Sequence, residues 1–154
     1  QGPPVRWVLL GNGPLRADCE RRAAGLSNVE FENWLPYEQL PDRIRRADIL
    51  LGVFGATPKA QRVIPNKVFQ ALACGKPLIT RSAPSYPAAL SASRSTGIRW
   101  VTAGDGRALA EAVSKLAHEA AQLPALGQQA RSAYEQYLDG RTLRSQLKDA
   151  LSVL

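Results

Sequence analysis

The chain has 154 residues, 45% of them hydrophobic and 21% charged, which suits one domain large enough to bury its own core. No uninterrupted apolar run approaches the roughly 18–20 residues a membrane-spanning helix needs, and the N-terminal QGPPVRW has neither the apolar core nor the cleavage site of a secretory signal. Lys and Arg number 20 against 13 acidic residues, a net +7 that suits a polyanion, an anionic membrane face or a phosphorylated small molecule; without zinc-finger spacing, arginine–aromatic interleaving or a recognition-helix motif, nucleic acid is excluded.

Residues 5–10, VRWVLL, are a β-rich apolar run followed by GNGP, and LRADCERRAAG then reads as a helix stopped by Gly25. Strand, glycine turn and helix open an α/β unit. Residues 28–33, NVEFEN, alternate apolar with polar side chains as a second strand. LPDRIRR permits a short helix with Pro41 in its first turn, and residues 48–55, DILLGVFG, read as a buried third strand. ATPKAQRVI reads as a loop, Pro65 opens a helix that stops at Gly75, and PLIT supplies a fourth strand. An irregular SAPSYPAALSASRSTG leads to a fifth, IRWV, at residues 98–101. Asp105 or Gly106 caps the next helix, whose Leu109, Val113 and Leu116 share a face; amphipathic helices follow over residues 125–138 and 142–154, the last with Leu143, Leu147, Leu151 and Leu154 in register.

Strands alternating with helices predict an α/β, Rossmann-like parallel sheet flanked by helices on both faces, folded as a single domain. Such sheets bind ligands beyond the carboxyl ends of their strands, which places the expected site in the loops at residues 11–14, 33–36, 54–64 and 81–86.

The helix opened by Pro65 carries the clearest chemistry. Proline at a first helical position forfeits no intrahelical hydrogen bond, while the free N–H groups behind it and the positive end of the dipole favour an anion, phosphate above all. Lys67 lies in the first turn, where a cation opposes the dipole by about 0.3–1 kcal/mol unless something negative is near. Arg62, just upstream, makes the approach doubly basic. The competing reading is that both side chains extend into water. Gln70, toward the same mouth, reads as a donor and acceptor for a ribose diol or as a surface amide.

Two cysteines without metal-ligand spacing point to a reducing, cytoplasmic setting and against a disulfide. His118 falls on the opposite side of its helix from Leu109 and reads as exposed surface. The serines of SAPSYPAALSAS have no companion histidine and acid, so they are assigned to loops and caps.

The segments WVLLGNGPLRADCERRAAGLSNVEFENWLPYEQLPDRIRRADILLGVFG, IPNKVFQALACGKPLIT and WVTAGDGRALAEAVSKLA, in this order and spacing, resemble the C-terminal nucleotide-sugar-binding domain of group-1 (family 4) glycosyltransferases, which have the two-domain GT-B architecture. The resemblance covers nearly the whole chain. It implies a donor-binding domain over residues 1–154 that lacks its first strand–helix unit and the N-terminal acceptor domain. It also implies an enzyme that moves a sugar from a nucleotide diphosphate to an acceptor hydroxyl, retaining and metal-independent, within glycan biosynthesis. No cofactor is implied beyond the donor. A glycan or lipid-linked acceptor would be met by the missing domain, with room for peripheral membrane association of the whole enzyme. Alone, the domain is expected to bind donor weakly and turn nothing over, and its final helix to cross back to the missing half.

By the same resemblance, Lys67 and Arg62 serve the departing diphosphate, with Asn66 at the helix start. Gln70 addresses the ribose, Trp34 and Leu35 form the base-binding turn, Phe54 and Gly55 face diphosphate and sugar, and Gly11 and Gly13 form the first visible glycine turn. The family commonly places two glutamates on this helix segment, one for the sugar and one for the ribose. Arg62 and Gln70 stand at those positions here, and a neutral amide forgoes charge-assisted hydrogen bonds of about 1.5–3 kcal/mol each. Trp34 is otherwise read as core packing. Two rivals remain. A dinucleotide-dependent oxidoreductase would need glycine where Arg16 stands. A catalytically inactive nucleotide- or partner-binding module of the same fold is favoured by Gln70.

Overall fold

A computed structural model describes residues 4–152. In chain order the elements are β1 (Trp7–Leu10), α1 (Arg16–Arg22), β2 (Val29–Glu32), α2 (Leu40–Arg45) entered through a 3₁₀ turn at Tyr37–Gln39, β3 (Leu50–Leu51), α3 (Pro58–Gln61), α4 (Asn66–Ala73), β4 (Leu78–Arg81), α5 (Ala88–Ala92), β5 (Ile98–Val101), α6 (Gly106–His118), α7 (Leu123–Tyr137) and α8 (Gly140–Leu151). Every strand pairing is parallel, and helices flank the sheets, as the β/α alternation predicts.

The strands form two sheets and not one: β1 pairs with β2, and β3–β4–β5 form a separate group. The reason lies in the edges. Among the described residues neither β1 nor β3 has a ladder partner on its second side, so the expected burial on both faces fails for β1, where Val8, Leu9 and Leu10 are exposed. The third strand is also shorter than residues 48–55. Its regular ladder ends at Leu51, although bonds to β4 continue irregularly: Gly52 N–H donates to Ile79 O at 2.8 Å, Arg81 N–H to Val53 O at 3.2 Å, and Thr80 Oγ1 lies 3.3 Å from Val53 N.

Two stretches expected to be irregular each hold a short helix. Thr57 caps α3 by accepting from Ala60 N–H at 3.3 Å with Pro58 behind it, and α5 inserts Leu90 into the core. Pro65 is the cap residue of α4 in extended conformation (φ −66°, ψ 144°) and not its first helical residue, which is Asn66. Asp105, and not Gly106, caps α6, accepting from Ala108 N–H at 2.9 Å. The helices expected at 125 and 142 begin at Leu123 and Gly140; Leu154 lies outside the described residues. Cys19 and Cys74 are both free.

Successive residues of β4 point to opposite faces, which builds two core layers. Leu78 packs with Val68, Ala71 and Leu72 of α4, Leu90, Ile98, and Ala130 and Ala133 of α7. Ile79 packs with Val101, Val113 and Leu116 of α6, and Leu126. Full burial of each Leu or Ile here contributes about 1.5–3 kcal/mol. The predicted face of α6 therefore meets the sheet as its spacing requires.

Helix α4 is held in place by α7 at very short range. Gly75 (φ +64°) ends α4 in the left-handed region, and its carbonyl stands against the bare Cα of Gly127 in mid-α7. Arg131 of α7 donates to Ala73 O at 2.6 Å, satisfying a terminal carbonyl and opposing the negative end of the α4 dipole. Helix propensity alone predicts that Gly127→Ala stabilises by about 1 kcal/mol. The packing predicts the reverse: a Cβ at Gly127 meets backbone that cannot swing aside, so urea denaturation should show a loss of about 1–3 kcal/mol.

The cap of α8 is also charged. Asp139 accepts from Thr142 N–H at 2.8 Å, and Arg141 adds a bond at 3.0 Å, so the carboxyl is pulled from 3.8 to about 2, chiefly by the backbone and hydroxyl of Thr142 and then by Arg141. A depressed carboxyl stabilises the fold above its unfolded value and loses that contribution as pH falls toward the folded one. The melting-temperature deficit of Asp139→Ala relative to wild type should therefore be full at pH 5 and shrink steadily between pH 4 and pH 2.

Candidate functional site

The carboxyl ends of β3, β4 and β5 are stitched together by their loops. Arg81 N–H donates to Val53 O at 3.2 Å, Ser82 N–H to Val101 O at 3.1 Å, and Gly104 N–H to Phe54 O at 2.8 Å. Ser85 Oγ donates to Val63 O at 3.3 Å, tying the loop after β4 to the segment that enters α4. These bonds fix the rim from which α4 starts.

At that start, no side chain caps the helix. Val68 N–H turns back to Pro65 O at 2.9 Å, while the N–H groups of Asn66 and Lys67 form no hydrogen bond with any described residue. Asn66, Lys67 and Arg62 are all exposed, as is Lys59 of α3; none of these three cations has an ion-pair partner among the described residues. Phe54 is half-buried and Gly55 exposed on the loop leaving β3. The mouth is thus open, basic and rich in free N–H groups, a ready anion site.

One turn further along, Gln70 lines a mainly apolar groove of about 180 Å³ between α4 and α2, shared with Tyr37, Leu40, Pro41, Ile44, Ala73 and Cys74. Trp34 is 67% exposed, which overturns its reading as core packing; Leu35 is half-buried beside it. The turn carrying both is anchored by a two-pronged ion pair from α2: Arg43 Nε and Nη2 donate to the Glu32 carboxylate at 2.6 and 2.7 Å. The bonds to Arg43 hold the Glu32 carboxyl below its usual range.

Gly11 and Gly13 lie apart from this groove. They line a second cavity of about 320 Å³ with Leu9, Pro14, Arg16 and Phe31, and the two cavities share no lining residue. Arg16 fills the crevice beyond β1 and β2, donating to Gly11 O at 2.8 Å and Glu32 O at 2.7 Å with its guanidinium 5.2 Å from the Phe31 ring centre. A dinucleotide pyrophosphate needs that turn open, so the geometry argues against the oxidoreductase as the missing glycine does. His118 is exposed and bonds only Ser114 O of its own helix, at 2.7 Å.

Sequence reasoning missed Tyr37 and gave no role to Lys59 or Arg81, although both fall in its expected loops at residues 54–64 and 81–86. For Lys59 a signal existed, since Thr57 followed by Pro58 is a helix-start pattern. Tyr37 joins Gln70 only through packing of α2 on α4. Arg81 ends a strand, where an arginine ordinarily reads as surface; here it is 2% exposed.

The family model for group 1 glycosyl transferases matches residues 1–119. Among solved structures, HepE from Anabaena in complex with UDP superposes with a TM-score of 0.73 at 21% identity, covering 100% of this chain and 43% of that one. Sucrose-phosphate synthase from Thermosynechococcus elongatus gives 0.68 at 20% identity over 94% of this chain and 37% of its own. TarM gives 0.68 at 13% identity over 94% and 28%. No curated protein matches the chain in sequence at a significant level. The chain therefore spans less than half the length of these structural relatives. A Rossmann-like fold with an open basic helix start at its strand ends, and a family match over most of its residues, place this chain among the group 1 glycosyl transferases.

Proposed function

We propose that the chain is the donor-binding half of a glycosyltransferase that takes a nucleotide diphosphate sugar and transfers the sugar to an acceptor hydroxyl. The observation that carries this reading is the uncapped start of α4, with Arg62 and Lys67 exposed and unpaired beside it. A departing diphosphate gains negative charge as the anomeric carbon becomes cationic, and preorganised N–H groups with fixed cations stabilise that charge without reorganisation. HepE has been seen with UDP and with UDP-glucose, which supports a uridine donor here.

In this reading Lys67 and Arg62 hold the diphosphate, and Gln70 with Tyr37 at the α2–α4 groove receives the nucleoside beside Trp34 and Leu35. In this reading the transfer is retaining and metal-independent. The acceptor would be met by a further domain. No described helix is long and apolar enough to cross a membrane. A binding module without turnover is the second reading, favoured by Gln70, which offers the ribose no carboxylate.

The domain's first strand–helix unit would fill the gap in the sheet. One parallel strand set between β1 and β3 joins β2–β1 to β3–β4–β5 in the 3-2-1-4-5-6 order of a doubly wound sheet. Supplying such a unit upstream of residue 1 should slow hydrogen exchange at Val8–Leu10 and Leu50–Leu51 by at least about tenfold; unchanged exchange there would remove the unit from the gap.

Calorimetry with UDP and GDP should show binding by the chain, with NAD showing none. Lys67→Ala should weaken the nucleotide by about 10- to 150-fold, the worth of a charge-assisted bond of about 1.5–3 kcal/mol. Equal affinity in wild type and variant would take Lys67 out of the site.

A further inference from the structure

Residues 55–63 carry two of the cations at the mouth, Lys59 and Arg62, and have almost no packing beneath them. Of these residues only Ala60 is even half-buried, and α3 has no buried side chain. A helix of one turn has no stability of its own. The segment's hydrogen bonds are nearly all internal: Ala60 N–H and Gln61 N–H donate to Thr57 at 3.3 and 3.2 Å, and Arg62 N–H donates to Lys59 O at 3.3 Å. Among the described residues a single hydrogen bond ties it to the body of the domain, the one that Val63 O accepts from Ser85 Oγ at 3.3 Å. Packing on the core resumes only at Ile64.

The other end of that bond is firmly mounted. Residues 83–86 form a β-turn closed by Tyr86 N–H donating to Ala83 O at 3.3 Å, with Pro84 at the second position, where its fixed φ suits the turn. Tyr86, next to Ser85, is 6% exposed. Its ring meets Trp100 edge-on with centroids 4.7 Å apart, and its hydroxyl lies 3.5 Å from Thr80 Oγ1. One hydroxyl therefore joins a loose basic segment to a turn fixed in the core. Helix α4 needs no such tie, since Val68, Ala71 and Leu72 are fully buried and α7 clamps its far end. What Ser85 holds is the chain just before the helix, where Arg62 precedes Val63. A cation on a backbone already held in place loses less freedom when it meets an anion, and the anion is bound more tightly for it.

We propose that Ser85 is a positioning residue: by holding the Val63 carbonyl it presets the backbone from which Arg62 reaches the diphosphate at the start of α4. This rests on the donor-binding reading above and adds to it a residue that touches no substrate.

Hydrogen exchange and calorimetry on the full chain test this. Ser85→Ala should speed exchange at the amides of Gln61 and Arg62 by about 3- to 10-fold and leave those of Ala71 and Leu72 unchanged. The same variant should weaken UDP, or GDP where that is the nucleotide bound, by about 3- to 10-fold, the worth of one ordinary hydrogen bond. Its melting temperature should stay within about 1 °C of wild type. Ser85→Thr, which keeps the hydroxyl, should restore both exchange and affinity. With Arg62→Ala already in place, adding Ser85→Ala should cost the nucleotide less than about 1.5-fold more, because nothing is left to position. Wild-type affinity or wild-type exchange in Ser85→Ala would overturn the proposal. So would a failure of threonine to rescue, a loss undiminished in the Arg62→Ala background, or a melting temperature lowered beyond that limit. Failure of the wild-type chain to bind any nucleotide diphosphate would remove the donor-binding reading and this one with it, whereas binding that is indifferent to Ser85 would remove this one alone.

Discussion

The structure turns on the free N–H groups at the start of α4. A helix end without a cap is ordinarily a defect, since its donors lose water or protein partners and its dipole stands unopposed. Here the end is left open at the rim of parallel strands and reinforced by cations that themselves lack partners. Everything packed behind it serves to hold that end still. Val68, Ala71 and Leu72 are fully buried on the sheet, while Gly75, Gly127 and Arg131 clamp the far end of the helix to α7. A short helix of this kind has little stability of its own, so its position is set by these contacts.

Charge is distributed in two distinct ways around this rim. Lys59, Arg62 and Lys67 stay in water, where an unpaired cation costs little and raises the local positive potential. Arg81 is buried, where the same charge costs much more. Three other arginines are structural. Arg16 ties the glycine turn to β2, Arg43 grips Glu32, and Arg131 closes α4. The net charge of +7 therefore does not describe a uniform basic surface.

Much of this was legible in the order of residues because it depends on local periodicity. The alternation of strands and helices, the inward face of Leu109, Val113 and Leu116, the stop at Gly75 and a cap at Asp105 or Gly106 each follow from neighbours within a few positions. The short helices α3 and α5 escaped because one turn shows no period. The exposure of Trp34 escaped because hydrophobicity states what a side chain prefers and not whether a neighbour exists to cover it. The apolar run at Val8–Leu10 misled for the same reason: its pattern is that of a covered strand, and its coverage depends on a strand edge that has no partner here.

The sequence by itself determined the α/β class, the element order and the basic start of α4, since these depend on backbone preferences and spacing along the chain. Tertiary structure alone decided that the strands divide into two groups, that Gln70 meets Tyr37 across the α2–α4 groove, and that Arg81 is enclosed without a counter-ion. Strand pairing, helix packing and burial join residues far apart in the chain, and their free energies depend on which surfaces meet in space, information that no local window of residues contains.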